Sequence, residues 1–211
     1  MVDLQKSWQI MWLSLGAKTE SDRLLSMLLD AYSEPHRHYH TLQHLTECID
    51  WLNQSRHLAA SPAEIEAALW FHDAIYDCER HDNEERSAEW ALSALLSAGV
   101  SAPTASRVAD LVISTKHAEQ PAAPDAQLLV DIDLAILGAS PSRFEEYEQQ
   151  IRAEYSFVPD ATFKVKRLEI LSALAARPCI YGSPFFQARL ESQARENLQK
   201  VCRVCLESQN T

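Results

Sequence analysis

Glycine is scarce in this chain, with only 4 among 211 residues. Tight β-hairpins need residues that tolerate positive backbone φ angles, and glycine supplies these most readily. No stretch as long as a typical strand alternates convincingly between polar and apolar side chains, so the pattern of a half-buried strand is missing as well. We therefore predict an all-α fold, a compact helical bundle without a sheet.

Helix-start signals recur along the chain. Three Ser-Pro pairs begin at Ser61, Ser140 and Ser183, where serine can cap a helix and proline can occupy its first turn. Ser61 and Glu64 also match a capping box. These signals and the apolar periodicity predict helices over residues 4–15, 20–32, 41–54, 62–77, 83–98, 103–117, 125–137, 141–155, 160–176 and 184–206.

The links between these helices are short. Because none is long enough to separate independent domains, we expect a single domain spanning residues 1–211. Gly99 and Gly138 fall just after predicted helices, where the chain often needs a left-handed residue.

Charge and hydropathy exclude several classes of partner. The 19 Lys and Arg residues face 30 Asp and Glu residues, and the net charge of -11 repels phosphate backbones and anionic lipid headgroups. No apolar run approaches the roughly 20 residues that cross a bilayer, and the first residues lack the pattern of a secretory signal. We expect a cytoplasmic protein that binds neither nucleic-acid polymers nor membranes.

Two histidines in the segment HYHTLQHL are candidates for one site. His40 and His44 are four residues apart, so on a helix they project from the same face. They lie away from the main apolar stripe, on the side that carries Cys48 and Trp51. The stripe consists of Leu42, Leu45, Ile49 and Leu52. A helix with two apolar sides is buried, so we expect both histidines to face protein or a cavity.

The segment ALWFHDAIYD places a histidine within an apolar stripe. His72 needs a polar partner there, and a buried carboxylate at Asp73 must be neutralised, hydrogen-bonded or bound to a cation. One divalent metal would satisfy both residues. The alternative is that His72 donates to a backbone carbonyl and that Asp73 caps a helix or pairs with an arginine.

A third segment, LLVDIDLAILG, is nearly apolar except for Asp131 and Asp133. Carboxylates in so apolar a helix are costly unless a charge lies opposite. Helical geometry places both at the margins of the stripe and does not choose between them. Two histidines and two aspartates from three helices would suit Mn, Mg, Fe, Ni, Co or Zn acting on a bound water.

Five segments, over about residues 30–200, resemble the HD superfamily of metal-dependent phosphohydrolases, and more closely its small bacterial branch of predicted HD phosphohydrolases. They read YHTLQH (Tyr39–His44), HDAIYD (His72–Asp77), NEERSA (Asn83–Ala88), TKH (Thr115–His117) and DIDLAILG (Asp131–Gly138). The resemblance implies an HD-type domain, with site helices within about 30–140 and C-terminal helices 141–206 packing on them.

The resemblance also implies a set of metal ligands. Carried over, these are His44, His72, Asp73 and one of Asp131 and Asp133. We assign Asp133, because the ligand in the D-x-D arrangement of relatives usually precedes a basic residue and a leucine. This sequence departs from that pattern, since a leucine stands at position 134.

Other site residues follow from the same likeness. The YHTLQH segment resembles that of cyclic-nucleotide phosphodiesterases, which implies that His40 protonates the leaving oxygen or orients the site. Asp77 would position or deprotonate the attacking water, although Tyr76 replaces the glutamate of the related HD-x-x-ED pattern. His117 is a second candidate acid. The nearest basic residues for a phosphate are Arg37 and Lys116.

The implied activity is hydrolysis of a phosphate ester or phosphoanhydride of a small, nucleotide-like substrate through a metal-bound water. One divalent metal would serve, with room for a second, and the resemblance also implies a homodimer. Two alternatives are a non-catalytic HD module that senses nucleotides and a di-iron HD oxygenase.

Overall fold

The computed structural model describes residues 2–19, 21–117 and 120–207, with side chains described as far as residue 202. The helices are α1 Leu4–Ser14, α2 Asp22–Ala31, α3 Leu42–Ser55, α4 Pro62–Phe71, α5 Asn83–Ser97, α6 Ala102–Ser114, α7 Pro124–Asp133, α8 Pro141–Glu154, α9 Asp160–Ala175 and α10 Pro184–Glu207. Short 3₁₀ helices span Arg56–Leu58 and Leu134–Gly138. The described ranges contain no strand, which confirms the prediction of an all-α fold.

Helix ends differ from the prediction where the candidate ligands lie. Helix α4 ends at Phe71 rather than at residue 77, and His72 is its C-cap. Helix α3 starts at Leu42, one residue after the predicted start, with Thr41 as N-cap; His40 therefore does not share a helical face with His44, as their spacing had suggested. The α-helical part of α7 ends at Asp133, where the 3₁₀ helix begins.

One of two predicted serine caps forms, and the other does not. The hydroxyl of Ser140 accepts from the N–H of Arg143, as a cap should. Ser61 makes no such side-chain bond at the start of α4. The capping box is therefore absent, because the carboxylate of Glu64 pairs with Arg107 instead.

Helix α4 is the buried centre of the first part of the chain. Every residue from Glu64 to Phe71 is buried, and the helix packs against α1, α3, α5, α6 and α7. Its second inward carboxylate, on Glu66, accepts from Ser7 and from Arg56 at 2.9 Å. Because buried charges need partners, these contacts let α4 lie in the core despite its two glutamates.

The chain divides into two units between Asp133 and Leu134. The first unit contains α1 to α7, and the second contains the 3₁₀ helix Leu134–Gly138 and α8 to α10. All four predicted metal ligands belong to the first unit. The expectation of a single domain over residues 1–211 stays a prediction.

The second unit is organised around α10, which packs against α9 and the 3₁₀ helix Leu134–Gly138. The side-chain amide of Asn197 donates to the carbonyls of Leu137 and Ala139 at 2.8 and 2.9 Å. Gly138 is not left-handed, which corrects its predicted role. A Cβ atom there would lie 2.6 Å from Cβ of Leu190, so close packing requires glycine.

Gly99 follows α5 and has a φ of 78°, as predicted for a residue that ends a helix. Among the described residues, none of the helices combines the length and apolarity needed to span a membrane.

Candidate metal centre

Three helix ends of the first unit bring four polar side chains together. His44 lies in the first turn of α3, His72 and Asp73 directly follow α4, and Asp133 is the last residue of α7. The three helices pack against one another. His44 and His72 are each 2 % exposed, so the cluster lies in the protein interior.

The donor atoms of these side chains converge. The Nε2 atoms of His44 and His72 are 3.1 Å apart. Oδ1 of Asp133 lies 3.2 Å from Nε2 of His44 and 3.5 Å from Nε2 of His72. Oδ2 of Asp73 lies 3.1 Å from Nε2 of His72 and 3.6 Å from Nε2 of His44. Each carboxylate therefore contacts both imidazoles.

These distances fit a metal site. Ligands at about 2.1 Å from a metal are roughly 3.0 Å apart in octahedral and roughly 3.4 Å apart in tetrahedral geometry. Nδ1 of His72 lies 2.8 Å from the carbonyl oxygen of Leu69, which can only accept, so Nδ1 is the donor, and in the neutral ring that binds metal Nε2 would present its lone pair to the cluster. Oδ2 of Asp73 is buried without a hydrogen-bond partner. A cation would satisfy that atom.

Cys48 is a further neighbour, one turn after His44 on α3. His44, Cys48, His72 and Asp133 offer donor atoms within 4.8 Å of one another and could hold a metal ion. The sulfur lies 3.7 Å from both ring nitrogens of His44. Equal distances place it beside the ring rather than in line with the lone pair of Nε2, so we favour Asp73 as the fourth ligand.

The sequence argument placed Cys48 on the same side of the helix as His44 but did not count it as a candidate ligand. The signal was the spacing of four residues, which puts two side chains on one helical face. Burial, followed by the nearby carboxylate of Asp133, raises the pKa of this thiol well above its ordinary value.

Opposite charges hold the cluster together electrostatically. Burial by itself would raise the pKa of Asp73, but the charges of His72, His40 and His44 and a hydrogen bond from His72 together outweigh it, and the pKa lies below its ordinary range. Burial likewise acts to raise the pKa of Asp133, yet hydrogen bonds from His117 and other imidazoles hold it well below the usual value. For His72, burial acts to lower the pKa, and Asp73 leads the groups that raise it well above normal. The cluster thus favours ionised carboxylates beside cationic groups.

Asp133, and not Asp131, belongs to the cluster. Asp131 is fully buried two residues earlier on α7, where its Oδ1 accepts from the side-chain amide of Gln127 at 3.0 Å. The structure thus resolves the choice that helical geometry left open.

His40 lies beside the cluster although it precedes α3. Its ring centroid is 5.9 Å from that of His44. The ring stacks on Tyr76, with centroids 4.1 Å apart. Burial raises the pKa of Asp73. Among the charges that lower it, that of His40 ranks second, after that of His72. The structure therefore brings His40 to the edge of the predicted site.

His117 contacts the cluster through Asp133. Its Nε2 lies 2.8 Å from Oδ2 of Asp133, and its Nδ1 is buried. The ring is therefore bonded to a predicted metal ligand, and the role of His117 as an acid for the leaving group stays a prediction.

Arg37 has a different position from the one expected of a phosphate ligand. Its side chain is fully buried. The guanidinium donates to the backbone carbonyls of Asp73 at 2.6 Å and Ala74 at 3.2 Å, and to the carboxylate of Glu34 at 2.9 Å. It also donates to the carbonyl of His40 at 3.3 Å. Arg37 therefore joins two segments of the site, and its predicted role in phosphate binding stays a prediction.

Asp77 and Lys116 both make local contacts. Asp77 is exposed, and its Oδ1 accepts from the N–H of Glu79 at 2.9 Å within a turn. Lys116 is exposed and forms an ion pair with Glu85. Their predicted roles in water activation and phosphate binding stay predictions.

Comparisons with known proteins leave the family open. No family model matches this chain, and searches of curated proteins and of solved structures found no match. The molecule is a helical protein with a buried His, Cys and Asp cluster that could bind metal, and this is compatible with an HD-type domain.

Proposed function

We propose that this protein is an HD-type, metal-dependent phosphohydrolase that acts on a small, nucleotide-like phosphate ester or phosphoanhydride. One observation carries the proposal. The Nε2 atoms of His44 and His72 are 3.1 Å apart, and one carboxylate oxygen each of Asp73 and Asp133 lies 3.1 to 3.6 Å from both of them. The ordered motif segments of the sequence support the same activity.

The four side chains would hold one divalent cation. Such an ion supplies a water of lowered pKa and neutralises charge that grows on a phosphoryl group in the transition state. The net charge of -11 does not exclude an anionic substrate, because a bound cation dominates the field near it.

His40 is the residue best placed to handle a proton. It is half-buried at the edge of the cluster, and imidazole has a pKa suited to general acid catalysis near neutral pH. The stack against Tyr76 holds the ring in place. This contact gives a reason for a tyrosine at the position where related HD-x-x-ED patterns have a glutamate.

The test is a screen for phosphate release. Nucleoside mono-, di- and triphosphates and pyrophosphate would be incubated with the protein and Mn²⁺, Co²⁺, Ni²⁺, Zn²⁺ or Mg²⁺. We expect metal-dependent turnover that falls at least about a hundredfold in Asp73→Asn, because loss of a ligand should cost at least as much as loss of a residue that supports one. The control is Asp50→Asn, which changes an exposed carboxylate on α3. Equal turnover in Asp73→Asn or in chelator-treated protein would refute the proposal.

A non-catalytic nucleotide-sensing module is the second candidate. The observation that favours it is that Tyr76 and Leu134 stand where the related catalytic patterns have a glutamate and a basic residue. A sensor predicts nucleotide binding in calorimetry without phosphate release, so the two candidates give different results in the same screen.

A further inference from the structure

His117 has an unusual backbone conformation. Its φ is 54°, and among the described residues it is the only one other than glycine with a positive φ. It follows the C-terminal end of α6, where a left-handed residue is most often glycine. A non-glycine residue at such a position indicates that its side chain has a function.

The contacts of the ring indicate what this function is. Nε2 lies 2.8 Å from Oδ2 of Asp133, and a carboxylate can only accept, so Nε2 is the donor. The other oxygen of Asp133, Oδ1, lies 3.2 and 3.5 Å from the Nε2 atoms of His44 and His72. The two oxygens of Asp133 therefore have separate partners.

We propose that His117 is a positioning residue that orients Asp133 for metal binding. Its N–H holds Oδ2, which keeps Oδ1 turned towards His44 and His72. Hydrogen bonds to ligating carboxylates commonly orient metal ligands in this way. The inference rests on the proposed metal site and replaces the role of His117 as an acid for the leaving group.

The test separates the ring from the backbone. His117→Gly removes the N–H donor but favours the left-handed conformation, and this relief offsets part of the stability lost with the hydrogen bond to Asp133, so the metal-free protein should remain folded at the temperature of the titration. His117→Asn tolerates the same backbone conformation and keeps an N–H donor on a shorter side chain. Full-length protein would be titrated with Co²⁺, whose visible absorption reports binding and coordination, and thermal unfolding would be measured without metal.

We expect the Co²⁺ affinity of His117→Gly to fall about 10- to 100-fold, with a changed visible spectrum, and His117→Asn to recover part of the loss. Unchanged affinity and spectrum in His117→Gly would overturn the positioning role and leave the metal site intact. A metal-free His117→Gly protein that was already unfolded at the temperature of the titration would also overturn it, because the role would then be structural. Absence of Co²⁺ binding in the unmodified protein would refute the metal site and this inference together.

Discussion

The Nε2 atoms of His44 and His72 lie 3.1 Å apart. The carbonyl of Leu69 determines which nitrogen of His72 faces this contact, because it accepts from Nδ1. Because Nδ1 of His72 donates to that carbonyl, the Nε2 of neutral His72 carries a lone pair directed at His44. Without a metal ion, the raised pKa of His72 favours its cationic form, and the proton on its Nε2 then lies between the two rings. A bound cation would use both lone pairs, so the structure presents a proton contact that metal can replace.

Asp133→Asn should reduce metal binding, whereas Asp131→Asn should not. The carboxylate of Asp133 contacts the two imidazoles, whereas Oδ1 of Asp131 accepts from Gln127 within α7. We expect the metal affinity to fall at least about tenfold in Asp133→Asn. The measurement is bound metal per chain after saturation with Zn²⁺ and desalting. Loss of metal in Asp131→Asn alone would reverse the assignment.

Metal should stabilise the folded protein through His44. A ligand that binds only the native state at about 100 times its Kd raises the free energy of unfolding by about 2.7 kcal/mol. We expect Zn²⁺ to raise the Tm of the unmodified protein but not that of His44→Gln. His57→Gln, which changes an exposed histidine in the 3₁₀ helix Arg56–Leu58, is the matched control. An equal rise in Tm for His44→Gln would show that the metal binds elsewhere.

Arg37→Ala should destabilise the first unit. The substitution leaves the carbonyls of Asp73 and Ala74 without their charged donor, and hydrogen bonds to charged groups contribute strongly when buried. We expect the free energy of unfolding to fall by about 3 kcal/mol or more. The free energy of unfolding of Arg37→Lys should lie between those of Arg37→Ala and the unmodified protein, because lysine keeps the charge but lacks the planar guanidinium. Denaturant titration provides the measurement.

The matched control for Arg37 is Arg23→Ala, which removes an exposed guanidinium from α2 and should leave stability nearly unchanged. Should Arg37→Ala keep the stability of the unmodified protein and raise only the KM for a phosphate substrate, the original prediction of a phosphate contact would be right.

Gly138→Ala should destabilise the second unit. An added Cβ would meet Cβ of Leu190 at 2.6 Å and its backbone oxygen at 2.8 Å, and a backbone atom has little room to move. Overpacking of this kind costs about 1–3 kcal/mol. Thermal unfolding checks the prediction, and an unchanged Tm would mean that α10 can shift away from the 3₁₀ helix at little cost.

Helix positions could be predicted well from local signals. The Ser-Pro pairs at Ser61, Ser140 and Ser183 do precede α4, α8 and α10. Caps and apolar periodicity depend on residues a few positions apart, so they can be recognised in the sequence. The end of α4 was mispredicted because no glycine or proline marks it. There, the carbonyl of Leu69 accepts from the imidazole of His72, where a continuing helix would have the backbone N–H of Asp73 as the donor.

The candidate site was predictable in part. His44, His72 and Asp73 stood out because polar groups in apolar helices need partners. The contacts of Arg37 and His117 were not predictable, since both reach residues far away in the chain. Arg37 bonds to the carbonyl of Asp73, and His117 bonds to Asp133.

The sequence by itself determined that the chain is helical and which histidines and aspartates needed polar partners. Both follow from helix propensity, capping and burial patterns, which are properties of short segments. Only the tertiary structure decided that Asp133 rather than Asp131 faces the histidines. It also decided that Arg37 donates to backbone carbonyls and that His117 donates to Asp133. Those choices depend on how α3, α4, α6 and α7 approach one another in the first unit, and side-chain packing between distant segments sets that approach.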